Sequence, residues 1–234
     1  MDYLSGLVGI FNNSHANNVR FNPLTISDGL PSQSVTQIFQ QRNGFVWFAT
    51  DRGASRYDGN SFRHFLYAPG MPNHITNNFV VQIFEDKQGN VWILTEDGLN
   101  KINPSGDTEY FRHEASKLNS INSNWMHYIY QDSNNRIWIS TNLGLNLYHP
   151  KTNGFSSFIG IIKGTTYTIP INSIIETSED NFLLATLEGL AFFNASDSSF
   201  TLESEQKADV PDWYKDTLST FTRSSIGKIK RHFS

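Results

Sequence analysis

The chain has 234 residues, enough for one sizeable domain or two small ones. Cysteine is absent, which excludes disulfides, thiolate nucleophiles and cysteine metal sites together. The formal net charge is −4 without a Lys/Arg-clustered face, and no apolar run reaches the roughly 18–20 residues of a membrane span, so neither a nucleic-acid partner nor direct membrane insertion is expected.

Residues 1–18 read as an N-terminal extension. Their apolar stretch, Leu4 to Phe11, has no basic lead and no clear small-residue cleavage site, so it gives no clear export signal. Val19–Ile26 reads as an outer strand preceding the first full unit.

From Val35 onward the sequence repeats itself. Four segments align, near residues 35–67, 80–113, 126–158 and 172–202. Trp47, Trp92, Trp138 and Leu183 share one column, at spacings of 45, 46 and 45 residues. Thr50, Thr95, Thr141 and Thr186 form a second column, and Gly53, Gly98, Gly144 and Gly189 a third. Each unit reads as four short strands. The first two, as in Val35–Phe39 with Val46–Thr50 or Val80–Phe84 with Val91–Thr95, are apolar on both faces, the pattern of strands buried on both sides. Asn- and Gly-rich turns such as Arg42-Asn43-Gly44 join them. The third strand follows the column glycine. The fourth, with Phe62 and Phe65 or Phe155 and Phe158, is more polar and reads as an outer edge. A period near 45 residues with four strands per unit is the signature of a β-propeller. Residues 19–202 are therefore expected to be propeller blades. Residues 203–234 read as a divergent or truncated fifth blade from Leu218, ending in a solvated basic run of Lys228, Lys230, Arg231 and His232.

The frame D-x-x-G-x-[VI]-W-[IF]-x-T-x-x-G-L-x-x-[YFI], nearly complete at Asp86–Ile102, resembles the two component regulator propeller repeat. The lead-in Leu24–Pro31 and the run Arg56–Phe62 resemble the opening of such domains. The resemblance implies a sensor propeller of a bacterial hybrid histidine kinase or diguanylate cyclase receptor, periplasmic and usually seven-bladed; some such receptors respond to polysaccharide fragments. Seven units of ~45 residues would need ~315 residues. The expected fold is thus all-β, a partial β-propeller of about four four-stranded blades, incomplete relative to a seven-bladed ring. Its bare blade faces favour a homo-dimer or the further blades of a longer receptor.

Mid-strand placement makes Trp47, Trp92 and Trp138 inter-blade core rather than sugar-stacking platforms. Asp86 with Gly89 reads as a structural turn, not a sialidase Asp-box, because the spacing is one residue too long. His64, His113 and His149 show no metal spacing, and a nucleophile elbow is absent, so neither a metal, a cofactor nor a catalytic residue is expected. Strand alternation places the loops after strands two and four on one face around the channel. That face would carry Asp51, Arg52, Asn77, Asn78, Glu96, Asp97, Asn122, Asn124, Trp125, Asn142 and Glu188, groups suited to an oligosaccharide or other small ligand. Three functions stay open: a non-catalytic sensor, a protein-interaction or oligomerisation scaffold, and a polysaccharide lyase or hydrolase using Asp51, Glu96 or Asp97.

Overall fold

The structure, a computed structural model, describes residues 23–71, 74–162, 165–167, 170–187 and 189–202. The 1–18 extension, the fifth unit from Leu218 with its basic end, and Glu188 lie outside the described residues. So do the first four residues of the expected strand at Val19–Ile26. Of the rest, Pro23–Thr25 form no strand and Ile26–Asp28 are a single 3-10 turn, closed by an Asp28 carboxylate that accepts from the Thr25 amide at 2.8 Å.

Four blades follow, each an antiparallel meander of four strands. Blade 1 holds β1 (Val35–Gln40), β2 (Val46–Thr50), β3 (Gly53–Tyr57) and β4 (Phe62–Phe65). Blade 2 holds β5 (Val80–Glu85), β6 (Val91–Thr95), β7 (Gly98–Ile102) and β8 (Thr108–Phe111). Blade 3 holds β9 (Met126–Gln131), β10 (Ile137–Thr141), β11 (Gly144–His149) and β12 (Gly154–Phe158). A two-stranded hairpin, β13 (Gly160–Ile162) and β14 (Thr165–Tyr167), intervenes before blade 4, which holds β15 (Ile171–Ser178), β16 (Asn181–Thr186), β17 (Gly189–Asn194) and β18 (Ser199–Leu202). Successive first strands β1, β5, β9 and β15 lie side by side. The described residues thus form a partial β-propeller of four blades.

Burial follows position within the array. In the middle blades β6 and β10 are buried throughout, because each is covered by a blade on either side. In blade 1, β1 alternates half-buried with exposed, so the expectation of burial on both faces fails there: among the described residues the array supplies a neighbour on one side only. In the two middle blades the fourth strands are the most exposed, and the fourth-strand aromatics at i and i+3 point to opposite faces. Phe62 packs on Phe48 with ring centroids 5.8 Å apart, and Phe65 on Trp47 at 4.9 Å.

One apolar cluster fills each blade interface. Trp47 lies between blades 1 and 2 with Ile83 and Ile93, Trp92 between 2 and 3 with Ile129 and Ile139, and Trp138 between 3 and 4 with Ile174 and Phe182. Each indole N–H is met by the residue six positions earlier. Trp92 Nε1 donates to Asp86 Oδ2 at 2.9 Å, Trp138 Nε1 to Asp132 Oδ2 at 2.8 Å, and Trp47 Nε1 to Gln41 Oε1 at 3.1 Å. The Asp86 carboxylate also accepts from the amides of Gln88 and Asn90 and from Asn90 Nδ2. It therefore closes the β5–β6 turn and pins the core at once.

The blades are stitched by side chains that reach across the interface. Gln37 Oε1 accepts from the Ile83 amide at 2.6 Å, and Gln82 Oε1 from the Ile129 amide at 3.0 Å. Near the end of each following first strand, a side chain accepts from the preceding blade's turn: Glu85 from Arg42, Gln131 from Lys87, and Glu176 from Ser133, all by backbone amides.

Candidate ligand-binding face

The threonine and glycine columns build the turns of one face. Thr50, Thr95, Thr141 and Thr186 donate from Oγ1 to the carbonyls of Gly53, Gly98, Gly144 and Gly189. In three blades the same oxygen accepts an amide from inside the turn, Arg52, Asp97 or Leu143. Gly144 shows why the column holds glycine. Its φ is +114°, and a Cβ there would lie 2.6 Å from the Phe158 carbonyl oxygen.

The loops arriving from each fourth strand dock against these turns. Gly53 N donates to Asn78 O at 2.6 Å and Gly98 N to Asn124 O at 2.9 Å. Glu96 N donates to Phe79 O, and Asn142 N to Trp125 O, each at 3.1 Å. The structure thereby brings the Asp51–Arg52 turn beside Asn77–Asn78, and the Glu96–Asp97 and Asn142 turns beside Asn122–Trp125.

Several of these side chains are occupied internally. Asn122 accepts from Thr141 Oγ1 and Asn146 Nδ2 and donates to Leu143 O, so its amide is consumed in holding the loop. In the preceding blade Thr76 fills the same role, against Thr95 and Asn100. Asn78 Oδ1 takes the Tyr67 amide, Asn124 Oδ1 the His113 amide, and Asn77 Oδ1 the Phe79 amide. Asn142 Oδ1 accepts from Ser123, and Asp97 pairs with Arg112. Asp51 has one carboxylate oxygen shielded from solvent and unbonded among the described residues. Arg52, Glu96 and Trp125 remain exposed on the face.

Trp125 is 64% exposed, although its carbonyl is fixed by Asn142. The residue at the same position in the preceding blade is Phe79, 38% exposed and fixed by Glu96. Two aromatic rings thus stand at equivalent places on adjacent blades. Phe79 was not among the residues expected on this face, although the column that aligns Val80 with Met126 also aligns Phe79 with Trp125. Among the described residues no group of His, Asp and Glu could hold a metal, and no helix is long and apolar enough to cross a membrane.

The two component regulator propeller family matches three stretches of the chain, residues 29–52, 74–97 and 120–143. Each runs from the incoming loop to the turn after the second strand, and together they carry the tryptophan and threonine columns that build the blades. These three stretches are two component regulator propeller repeats. No curated protein matches it by sequence. Among solved structures, this regulator propeller is similar to the extracellular domain of a hybrid two component system from B. thetaiotaomicron, at 22% identity and a TM-score of 0.69, over 77% of this chain and 26% of that one. It is also similar to PorZ, a surface component of the type-IX secretion system of Porphyromonas gingivalis, at 16% identity and TM-score 0.55, over 74% and 28% of the two chains. A virginiamycin B lyase from Staphylococcus aureus, solved with quinupristin, matches at 14% identity and TM-score 0.54, over 78% and 59%. At these identities the likeness is one of fold, and the regulator propeller spans about a quarter of the length of the first two structures.

Proposed function

We propose that this propeller is a non-catalytic, ligand-reading module of an extracytoplasmic bacterial signalling receptor, and that it reads a small ligand, saccharides first, on the face that carries Phe79 and Trp125. The observation that carries the reading is this aromatic pair. Large rings left exposed on backbone that is hydrogen-bonded in place are preorganised contact surface, which lowers the ordering cost of binding. Aromatic faces beside the exposed Arg52 and Glu96 suit the alternating apolar and hydroxylated surfaces of a sugar. The family repeats support the sensor role, and the resemblance to an extracellular receptor domain supports the location. The shared fold with a lyase does not favour catalysis, because function resides in the site rather than in the fold. Asp97, one of the candidate acids, is already held by Arg112.

The test is a thermal-unfolding panel of neutral mono- and oligosaccharides on the chain and on Trp125→Ala. A ligand that binds only the native state raises its stability, by about 2.7 kcal/mol at 100 times Kd. At least one saccharide is expected to raise Tm, with Trp125→Ala losing the rise while keeping its own Tm. No rise with any sugar, or a rise that survives the substitution, removes this reading.

A second reading has its own observation. Ile38 of blade 1 and Ile175 of blade 4, 66% and 45% exposed, leave apolar surface on the two ends of the array. This favours a scaffold that associates through its blade faces.

A further inference from the structure

The groove between blades 1 and 2 opens on the rim opposite the Phe79–Trp125 face. It encloses about 440 Å³ and is bounded by the β1–β2 turn, the β5–β6 turn and the β7–β8 turn. Two guanidiniums, Arg56 and Arg63, line it. They are direct cross-strand partners in the β3–β4 ladder. Like charges directly opposite in a ladder repel. Neither has a salt bridge or a hydrogen bond among the described residues. Arg56 lies over the Phe45 ring at 4.1 Å, and Arg63 over the Phe65 ring at 5.1 Å. The one carboxylate that also lines the groove, Glu85, is already taken by Arg42, whose Nε lies 3.2 Å away.

The repeat supplies its own control. The equivalent groove between blades 2 and 3, about 400 Å³, is lined by Lys101 at the position of Arg56. Its cross-strand partner, at the position of Arg63, is Glu109, and the two form a salt bridge at 2.9 Å. Tyr148 Oη also meets Lys101 Nζ, at 3.3 Å. Blade 2 thus neutralises the cation that its architecture places in the groove. Blade 1 places a second cation there instead.

We propose that this groove is an oxyanion site, which takes a small polyhydroxylated ligand bearing one carboxylate or sulfate between Arg56 and Arg63. Each guanidinium is a planar fork of N–H donors of the kind that carboxylate and sulfate oxygens accept, and the ladder places the two side by side on one groove. Of the rest of the lining, Asn103 and Ser105 are engaged with each other and with Asp107, whereas the side-chain N–H groups of Gln41 and Asn43, whose oxygens accept from Trp47 and from the Phe45 amide, are donors for ligand hydroxyls. The volume lies in the lower part of the range for small-molecule sites. Burial first, and the neighbouring Arg63 second, press the Arg56 guanidinium below its ordinary value against the opposing pull of Asp58. A bound anion would relieve the repulsion. The site is on the opposite rim from the proposed sensing face, so its failure would leave that reading standing.

Calorimetric titration of the full chain at fixed ionic strength tests the site, with glucuronate, its neutral counterpart glucose, and inorganic sulfate as probes. Glucuronate is expected to bind saturably, roughly tenfold or more tighter than either glucose or sulfate. Arg63→Glu recreates the cation–carboxylate pair of blade 2. It is expected to keep or raise Tm while weakening glucuronate binding at least about tenfold; Arg56→Gln, should the first variant not fold, is expected to weaken it likewise. Glucuronate binding no tighter than glucose, or binding unchanged in the folded variant, overturns the site. Sulfate binding as tightly as glucuronate overturns its polyhydroxylated part.

Discussion

At the scale of single residues, the turns of the blades rest on buried polar pins. Asp132 accepts from the Arg136 amide and side chain and from the Trp138 indole, at 2.8, 2.5 and 2.8 Å, and is itself buried. Replacing it with Ala leaves a buried indole N–H and a half-buried guanidinium without this acceptor. A buried donor left unpaired costs about 1–3 kcal/mol, and more when a charged partner loses its mate. Asp132→Ala is therefore expected to destabilise the chain by about 3 kcal/mol in urea unfolding followed by tryptophan fluorescence. Gln41→Ala, which frees a neutral bond to Trp47, should cost about 1 kcal/mol. A smaller loss for Asp132 than for Gln41 would refute the pin. The turn at Asp86–Gly89 was legible in sequence; its hold on Trp92 was not, because only the closing of the β5–β6 turn brings residues six apart into contact. His127 adds a titration. Its ring is half-buried in β9, with Nε2 unbonded among the described residues, and burial lowers its pKa below 6.5. The unfolded chain then binds the proton more readily, so stability is full above about pH 6.5 and falls as pH drops from there through the lower folded-state value. His127→Gln should flatten that acid limb relative to the parent; equal slopes from about pH 7 to 5 would rule the histidine out.

Elements show where period alone is a sufficient guide. The three columns placed the second and third strands of every blade, because tryptophan, threonine and glycine mark an interface, a turn acceptor and a left-handed backbone, each with a single mechanical reason to recur. Gly144 and Gly189 separate two parts of the glycine requirement. Their φ values are +114° and +113°, but a Cβ at Gly144 would strike the Phe158 carbonyl, whereas at Gly189 it would meet nothing within 4 Å. Gly189→Ala is expected to cost about 1–2 kcal/mol from backbone strain alone, and Gly144→Ala at least about twice that. Comparable losses in parallel denaturant melts would mean that the close approach to Phe158 relaxes freely. The β13–β14 hairpin escaped the period because it occupies a connection no longer than those between the other blades, which form no strands there, so the spacing of the columns carries no mark of it. Its trace in sequence is a pair of runs rich in β-branched residues, Ile161–Ile162 and Thr165–Thr166. The loop face was legible as a set of loops, since alternating strand direction dictates it. Which of its side chains are free was not, since in sequence Asn122 and Asn78 are ordinary loop amides and only folding brings their partners to them.

For the whole molecule, equivalent positions measure what a covering blade does. Ile83, Ile129 and Ile174 are each 1% exposed, and Ile38, their counterpart in blade 1, is 66% exposed. At the other end Ile175 is 45% exposed, where Phe39, Phe84 and Tyr130 are covered in part by the blade that follows. Glu85, Gln131 and Glu176 each accept from the preceding blade's turn, whereas Gln40, at the corresponding end of β1, is exposed and unbonded among the described residues. Ile83→Ala should accordingly cost about 2–4 kcal/mol, and Ile38→Ala within about 0.5 kcal/mol of nothing. The two ends are also unlike each other: one is the face a blade presents forward, the other the face it presents backward. Faces of that kind join head to tail rather than by a two-fold through a single patch. Association of this chain is therefore expected to pair the Ile38 face of one copy with the Ile175 face of the next. Light scattering across a concentration series should show mass rising with concentration. Ile38→Lys and Ile175→Lys, each alone, should remain monomeric with Tm kept, since every contact needs one face of each kind. Mixed in equal amounts, the two variants should form a dimer and grow no further, because each retains the face that the other has lost. A parent chain that stays monomeric throughout, or single variants that associate like the parent, would show that these faces are not where copies meet.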